Sequence, residues 1–206
     1  MLRFSSVLAN IGDGDFLLRA SRVSAEWKVE QVITHSEAGG DLRGIDAPLV
    51  WGGDGHEHWH IARVAHYWIV ALDEAGVPVD DDQSRADTKV GFCFFDHLRE
   101  LEYGPEDPVF SVHDCGDEDD DHIHMGMSPG WSDKYQWHLP GQQIDITDLE
   151  DGMYRLWAEA DPNRAFHELT RDNNRTWVDF ELTTLDDGRR GALALTTGPT
   201  PEDHRS

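Results

Sequence analysis

Short apolar runs separated by polar turn residues dominate the hydrophobic pattern of this chain. Runs of this kind, bounded by Gly, Asp, Asn or Pro and without a sustained 3.6-residue period, are typical of β-strands. One run also fits a helix face, the one that begins at Trp59, and we interpret it as a strand as well. The predicted strands cover residues 27–35, 59–72, 89–98, 152–160, 175–185 and 191–198.

Two Asp-Gly pairs lie next to strand-like runs in the last third of the chain. Asp151 and Gly152 precede the run that starts at Met153, and Asp187 and Gly188 separate the last two runs. Tight hairpin turns favour this pair because its glycine adopts a positive φ without steric cost. The sequence therefore predicts hairpins at both places and, for the whole chain, an all-β, antiparallel, sandwich-like fold.

The continuity of the pattern predicts a single domain. The chain has 206 residues, 38% of them hydrophobic, which is enough for one sizeable core. No Pro-, Gly- or Ser-rich linker divides it, and long acidic loops are predicted at 79–88 and 114–122. We predict a domain over residues 1–197 and a flexible C-terminal tail over 198–206.

The charge of the chain limits its partners. There are 41 Asp plus Glu against 17 Lys plus Arg, a formal net charge of −24. Such a surface repels nucleic acids and anionic membranes and attracts cations and amines. No apolar run reaches the roughly 18 residues of a membrane span, and the start of the chain lacks the layout of a signal peptide. The acidity also suggests adaptation to high salt, which predicts loss of the fold when salt is removed.

Three histidines at alternate positions stand just before the longest apolar run. On a strand, His56, His58 and His60 would project from one face, with Glu57 and Trp59 on the other. Imidazoles bind Cu, Zn, Ni or Fe, and a set of three leaves a coordination position for water or substrate. The spacing therefore predicts a metal site of unspecified metal. The plain alternative is a surface cluster in a chain that contains 12 histidines.

The order of motifs along the chain resembles the lysyl oxidase family. The segment GHEHWH at 55–60 is similar to the copper motif of that family, and KVGFCFFD at 89–96 is similar to the strand with its cofactor lysine. The block at 126–154, which includes GQQIDITDLEDG, resembles the segment with the cofactor tyrosine. The stretch at 168–182 resembles the closing strand. The resemblance extends from residue 2 to residue 182.

The resemblance implies an activity and its site residues. It assigns copper to His56, His58 and His60, with zinc as the metal of an immature or heterologous form. It places Lys89 and Tyr135 where the family forms lysine tyrosylquinone, in which the lysine amine must be unprotonated to attack the oxidised ring. The implied reaction oxidises primary amines, including peptidyl lysine, with O₂ to aldehydes and releases ammonia and H₂O₂.

This reaction needs a general base beside the quinone ring. The residues that could serve are His66, Asp133 and Tyr67. The family has a histidine soon after the copper motif, from which His66 is displaced by about one residue, so that Tyr67 takes that position. The sequence leaves this choice open.

The resemblance also bears on the cysteines and on cell location. Cys93 and Cys115 match two cysteines that pair in the family, so one disulfide is implied. Trp131 stands where the family has another cysteine. Family members are secreted, so the resemblance implies a secreted or cell-surface protein.

A calcium site of the family is matched only in part. Glu168, Asn173 and Asn174, with Asp172 close by, correspond to some of its ligands, but its N-terminal ligands would precede residue 1. Two other functions stay open. One is a metal-binding β-sandwich that serves as an interaction module without a mature quinone. The other is a mononuclear metal hydrolase or oxygenase, for which the sequence offers no carboxylate at the required spacing.

Overall fold

The computed structural model describes residues 1–35, 39–52, 56–79 and 87–204, with the backbone alone at 35, 39 and 87–90. Across these ranges the regular structure consists of β-strands and one 3-10 turn, Val112–Cys115. The strands are β1 (Leu2–Arg3), β2 (Ser6–Ala9), β3 (Phe16–Val23), β4 (Glu26–His35), β5 (Gly39–Gly44), β6 (Leu49–Trp51), β7 (Trp59–Ala71), β8 (Asp87–Phe92), β9 (Leu98–Arg99), β10 (His122–Met127), β11 (Trp131–Tyr135), β12 (Gln143–Ile144), β13 (Gly152–Ala160), β14 (Arg175–Thr184) and β15 (Arg190–Thr197).

The strands pair antiparallel in several sheets. The largest has the order β15-β14-β13-β7-β6, and β8 also pairs with β7. A second sheet has the order β10-β3-β4-β5, a third β2-β11-β9, and β1 pairs with β12. Within the described ranges no helix has the length and apolar character needed to cross a membrane.

One hydrophobic core joins these sheets. Its buried members come from different sheets and pack in a single cluster, as expected when each sheet has one apolar face to bury. The fully buried residues include Leu18 of β3, Ile61 of β7, Met125 of β10, Ile144 of β12 and Leu182 of β14. The predicted all-β, antiparallel, single-domain fold is thus confirmed. So is the strand interpretation of the run from Trp59.

The two predicted hairpins have different outcomes. Asp187 and Gly188 form the turn between β14 and β15, where Gly188 has a φ of 79° and donates its N–H to the Leu185 carbonyl at 2.8 Å. The hairpin predicted at Asp151 and Gly152 is wrong, because β13 pairs with β14 and β7 and not with the strand before it. Asp151 instead accepts hydrogen bonds from the backbone and hydroxyl of Thr184, at 2.8 and 2.9 Å. An aspartate at a strand end serves this purpose as readily as it serves a turn.

The chain after β15 is hydrogen-bonded to the neighbouring strand. Gly198 donates its N–H to the Trp177 carbonyl at 2.7 Å, and the Thr176 hydroxyl donates to the Pro199 carbonyl at 2.7 Å. The last two residues of the predicted tail, and most of the acidic loop predicted at 79–88, lie outside the described residues. The division at residue 197 stays a prediction.

Candidate active site

Three imidazoles converge at the start of β7. The ligand nitrogens of His56, His58 and His60 lie within 4.8 Å of one another. A tetrahedral ion with metal–nitrogen distances of about 2.0–2.1 Å needs nitrogens roughly 3.4 Å apart, so small side-chain rotations bring all three onto one ion. Nδ1 of His56 and both nitrogens of His60 are buried. The donor set therefore fits a copper or zinc ion.

The backbone beneath these imidazoles differs from the predicted strand. Only His60 lies in β7, whereas His56 and His58 lie in the non-strand segment just before it, with a bend at residues 57–58. Gly52 donates its N–H to the His58 carbonyl at 3.0 Å and so closes this bend. Strand alternation was therefore the wrong reason for the grouping of His56 and His58. β6 and β7 pair antiparallel, and the bond from Gly52 holds the segment with His56 and His58 next to the end of β6.

Tyr135, the predicted cofactor tyrosine, lies beside the histidines. It ends β11 and is 3% exposed. The centroid of its ring is 6.5 Å from that of His56 and 6.3 Å from that of His60. The ring also packs on Phe92 with a centroid distance of 4.4 Å, and the Cys93 N–H donates to the phenol oxygen at 3.2 Å. The ring and the oxygen are thus both held in place next to the imidazoles.

Lys89, the predicted cofactor lysine, lies in β8, and its backbone pairs with His66 of β7. The strand passes close to His60 two residues later. A Cβ added at Gly91 would be 3.4 Å from the His60 Cβ and 2.9 Å from the Ile61 carbonyl oxygen. At about 3.3 Å per strand residue, Lys89 is roughly 7 Å of backbone from this contact. Its side chain lies outside the described atoms.

A β-bulge shapes β7 between His60 and His66. The register against β8 shifts between Ile61 and Ala65, and Arg63 has a φ of 61°. A non-glycine residue in this left-handed region is uncommon and costs on the order of 1 kcal/mol or more. The Ala62 N–H is turned toward the Pro48 carbonyl, to which it donates at 2.8 Å. The bulge therefore determines which face of the sheet each residue of β7 after His60 occupies.

Asp133 is the candidate base with the most unusual environment. It lies in β11, two residues before Tyr135, and is 1% exposed. Neither carboxylate oxygen accepts a hydrogen bond from the described residues. Burial raises the pKa of Asp133 to about 6, opposed by the nearby His97 and His60. A buried carboxylate that keeps its acceptor sites open and ionises near neutrality is typical of an active site.

His97 connects Asp133 with solvent. Its Nδ1 is 3.8 Å from Asp133 Oδ1, and its side chain is 35% exposed. The Asp133 carboxylate raises the pKa of the His97 imidazole. No local pattern pointed to this residue, because His97 precedes β9 whereas Asp133 lies in β11, and the two meet only in the folded chain.

The other two candidate bases have less suitable surroundings. The His66 ring stacks on Trp68 with a centroid distance of 5.0 Å, and its backbone lies between β8 and β13. Tyr67 is 3% exposed and packs on Phe4 at 4.9 Å. Burial raises the pKa of Tyr67 above its ordinary value, so this phenol stays protonated and is a poor base.

The implied disulfide is present. Cys93 and Cys115 are joined, with Cα atoms 5.8 Å apart. The bridge links the segment after β8 to the 3-10 turn, and both cysteines are fully buried. Since Cys93 also donates its N–H to Tyr135, the disulfide anchors the backbone that holds the phenol.

Comparison with known proteins assigns a family to this site. The lysyl oxidase family model matches residues 50–186, which include the three histidines, Lys89 and Tyr135. The chain belongs to the lysyl oxidase family. It is 26% identical to chicken protein-lysine 6-oxidase over 185 residues, which cover 89% of this chain and 34% of the chicken protein. It is 28% identical to zebrafish lysyl oxidase homolog 3A over 174 residues, which cover 84% of this chain and 18% of the zebrafish protein.

The matched regions cover only part of each relative, which limits what can be transferred to this chain. Because the chain spans about a third or less of each of these relatives, their activities apply here only as proposals. The cluster of three imidazoles is the donor set expected of this copper-dependent family.

Proposed function

We propose that this lysyl oxidase family protein is a copper-dependent amine oxidase with a quinone formed from Lys89 and Tyr135. The proposal rests chiefly on the convergence of three imidazoles with the buried ring of Tyr135. Its overall reaction converts a primary amine, O₂ and water into an aldehyde, ammonia and H₂O₂. The two electrons lost by the C–N unit of the amine reduce O₂ to H₂O₂, so the reaction balances.

The cofactors would be held by residues that suit them. His56, His58 and His60 offer neutral nitrogen ligands for copper, and Lys89 with Tyr135 would form the quinone. When bound, copper supplies the oxidation of the tyrosine ring by O₂, and the finished quinone supplies an electrophilic carbonyl for the substrate amine. In the structure the Cys93 N–H donates to the phenol oxygen, which fixes the position of that oxygen.

We assign the general base to Asp133. Its two oxygens are buried and have acceptor capacity left, and it lies two residues before Tyr135 on the same strand, so a carboxylate there can take a proton from the substrate carbon. A pKa of about 6 leaves Asp133 ionised at neutral pH while keeping it basic enough to accept the proton. The half-exposed His97 at 3.8 Å would then pass the proton to solvent.

The acidic surface favours cationic substrates. A net charge of −24 attracts protonated amines and raises their local concentration at the site. We therefore propose primary amines, among them lysine side chains of proteins, as substrates, with O₂ as the second substrate. The disulfide supports a secreted or cell-surface location, because such bonds persist in oxidising compartments.

The substitution His58→Gln is expected to remove copper and to reduce amine-dependent H₂O₂ release to background. Even changes to residues that support a metal ligand cost about 10–100-fold in affinity, so loss of a ligand should cost at least that much. Copper per chain would be measured by metal analysis, and H₂O₂ with a coupled peroxidase assay. The matched control is His124→Gln, an exposed histidine of β10 outside the cluster, for which both values should stay unchanged.

Full copper content in His58→Gln would contradict the ligand assignment. A wild-type protein that binds zinc or copper, yet has no visible absorption and no amine-dependent H₂O₂ release after copper loading in air, would favour the alternative, a non-catalytic metal-binding module.

A further inference from the structure

The loop between β13 and β14 contains two carboxylates that need a cation. Asp161 follows β13, is 4% exposed and has a φ of 44°. Its oxygens accept the N–H groups of Ala165 and Phe166 at 2.7 and 3.0 Å, so the carboxylate organises the loop. Glu168 lies close by, and burial raises its pKa to about 7, to which the charge of Asp161 adds. Two carboxylates this near to each other repel unless a positive charge lies between them.

Arg171 supplies that charge from within the same loop. Its Nη1 lies 2.8 Å from Asp161 Oδ2 and 2.9 Å from Glu168 Oε1, and its Nη2 donates to the Phe166 carbonyl at 2.6 Å. One guanidinium thus contacts two carboxylates and a carbonyl, which is the kind of oxygen set that a divalent cation would gather. The planar, permanently charged guanidinium suits such a role better than a lysine.

The loop is also fixed to the neighbouring sheet. Gln31 of β4 donates its side-chain N–H to the His167 carbonyl at 3.0 Å and accepts the His167 N–H at 2.8 Å. Asn174 donates its side-chain N–H to Glu168 Oε1 at 3.1 Å. The arginine-centred loop is therefore held to β4 by side-chain to backbone hydrogen bonds and to the start of β14 through Asn174.

The residues present do not fit the calcium ion that the family resemblance suggests here. Ca²⁺ takes six to eight oxygen ligands at about 2.3–2.6 Å. Both oxygens of Asp161 and Oε1 of Glu168 are already used by hydrogen-bond donors. Asn173 Oδ1 is buried without a hydrogen-bond partner among the described residues, but a single amide oxygen is too few. A guanidinium 2.9 Å from Glu168 would in addition repel the ion.

We propose that the Arg171 guanidinium replaces the divalent cation in this loop, so that the fold of this protein is independent of calcium. Arg171 is a structural cation in this proposal and has no part in amine oxidation. The negative charges of Asp161 and Glu168 are then neutralised by a side chain of the same loop and not by a bound ion.

The test begins with the copper-loaded wild-type protein. Metal analysis after purification should find no stoichiometric calcium. Thermal unfolding in about 10 mM CaCl₂, roughly ten times the weakest dissociation constant of extracellular calcium modules, should match unfolding in equal MgCl₂. Bound calcium, or a rise in Tm of about 3 °C or more that is specific to calcium, would overturn the proposal.

A variant tests the arginine itself. Arg171→Gln should lower Tm by several degrees, because it leaves two carboxylates without their cation. The matched control is Arg175→Gln, which breaks the ion pair of a largely exposed arginine with Glu159 and should change Tm little. In a Glu168→Gln background the loss caused by Arg171→Gln should be smaller. A loss no larger than that of Arg175→Gln, or equal losses in both backgrounds, would contradict the proposal. If Arg171→Gln does not fold, the wild-type calcium measurements decide alone.

Discussion

Tyr135→Phe is expected to reduce amine-dependent H₂O₂ release to background while leaving copper binding and the fold intact. The substitution removes the phenol oxygen from which a quinone is made, but it keeps the ring that packs on Phe92. The stability cost should be about 1–3 kcal/mol, because the buried Cys93 N–H loses its acceptor. Lys89→Ala should have the same effect on activity, because it removes the amine that joins the ring. Both variants should lack visible absorption and the cross-linked peptide that mass spectrometry would find in the wild type.

Each of these changes has a matched control in the chain. Tyr154→Phe also deletes a buried phenol hydroxyl, one that donates to the Glu150 carbonyl at 2.9 Å, and it should keep full activity. Lys28→Ala removes an exposed lysine paired with Glu30 and should also be active. Amine oxidation that survives either Tyr135→Phe or Lys89→Ala would exclude the quinone. Retained copper in both variants would show that the metal site and the quinone are separable.

Asp133→Asn is expected to lower kcat/KM for amines by about 10²–10⁴-fold, the usual contribution of a general base. The fold should not suffer. The folded-state pKa of Asp133 is raised to about 6, above its unfolded value, so the ionised carboxylate is disfavoured in the folded protein above that pH. At pH 8 the amide should therefore leave Tm unchanged or higher. Asp96→Asn is the contrast, since Asp96 accepts four hydrogen bonds from the surrounding chain and its loss should lower Tm.

The pH dependence of the reaction separates a base from a purely structural residue. Because Asp133 must be ionised, kcat/KM should fall as the pH decreases below about 6. His97 lowers the pKa of Asp133, so His97→Asn should move this acidic limb to higher pH. If the acidic limb of the kcat/KM profile is unchanged in His97→Asn, or if Asp133→Asn has nearly normal kcat/KM, Asp133 is not the base and His66 becomes the favoured candidate.

Much of the fold could be predicted from local features of the sequence. The run from Trp59 forms β7 because its apolar and aromatic residues suit a buried strand, and Asp187 with Gly188 makes a hairpin because the turn needs a positive φ. Asp151 with Gly152 is also an Asp-Gly pair, but it forms no hairpin. Its carboxylate is used by Thr184 on another strand, a contact that only the sheet registry decides.

In the candidate site, too, some features followed from the sequence and others only from the tertiary structure. The sequence by itself determined the family, the group of three histidines and the disulfide partners, because residue types and the order of motifs are local properties of the chain. It also predicted Lys89 and Tyr135 as the cofactor pair. Only the tertiary structure decided that a bend and not a strand groups His56 with His58, that Asp133 is buried near His97, and that Arg171 neutralises Asp161 and Glu168. These outcomes depend on packing between segments that are far apart in sequence, and no local pattern encodes which strands become neighbours or how deeply a carboxylate is desolvated.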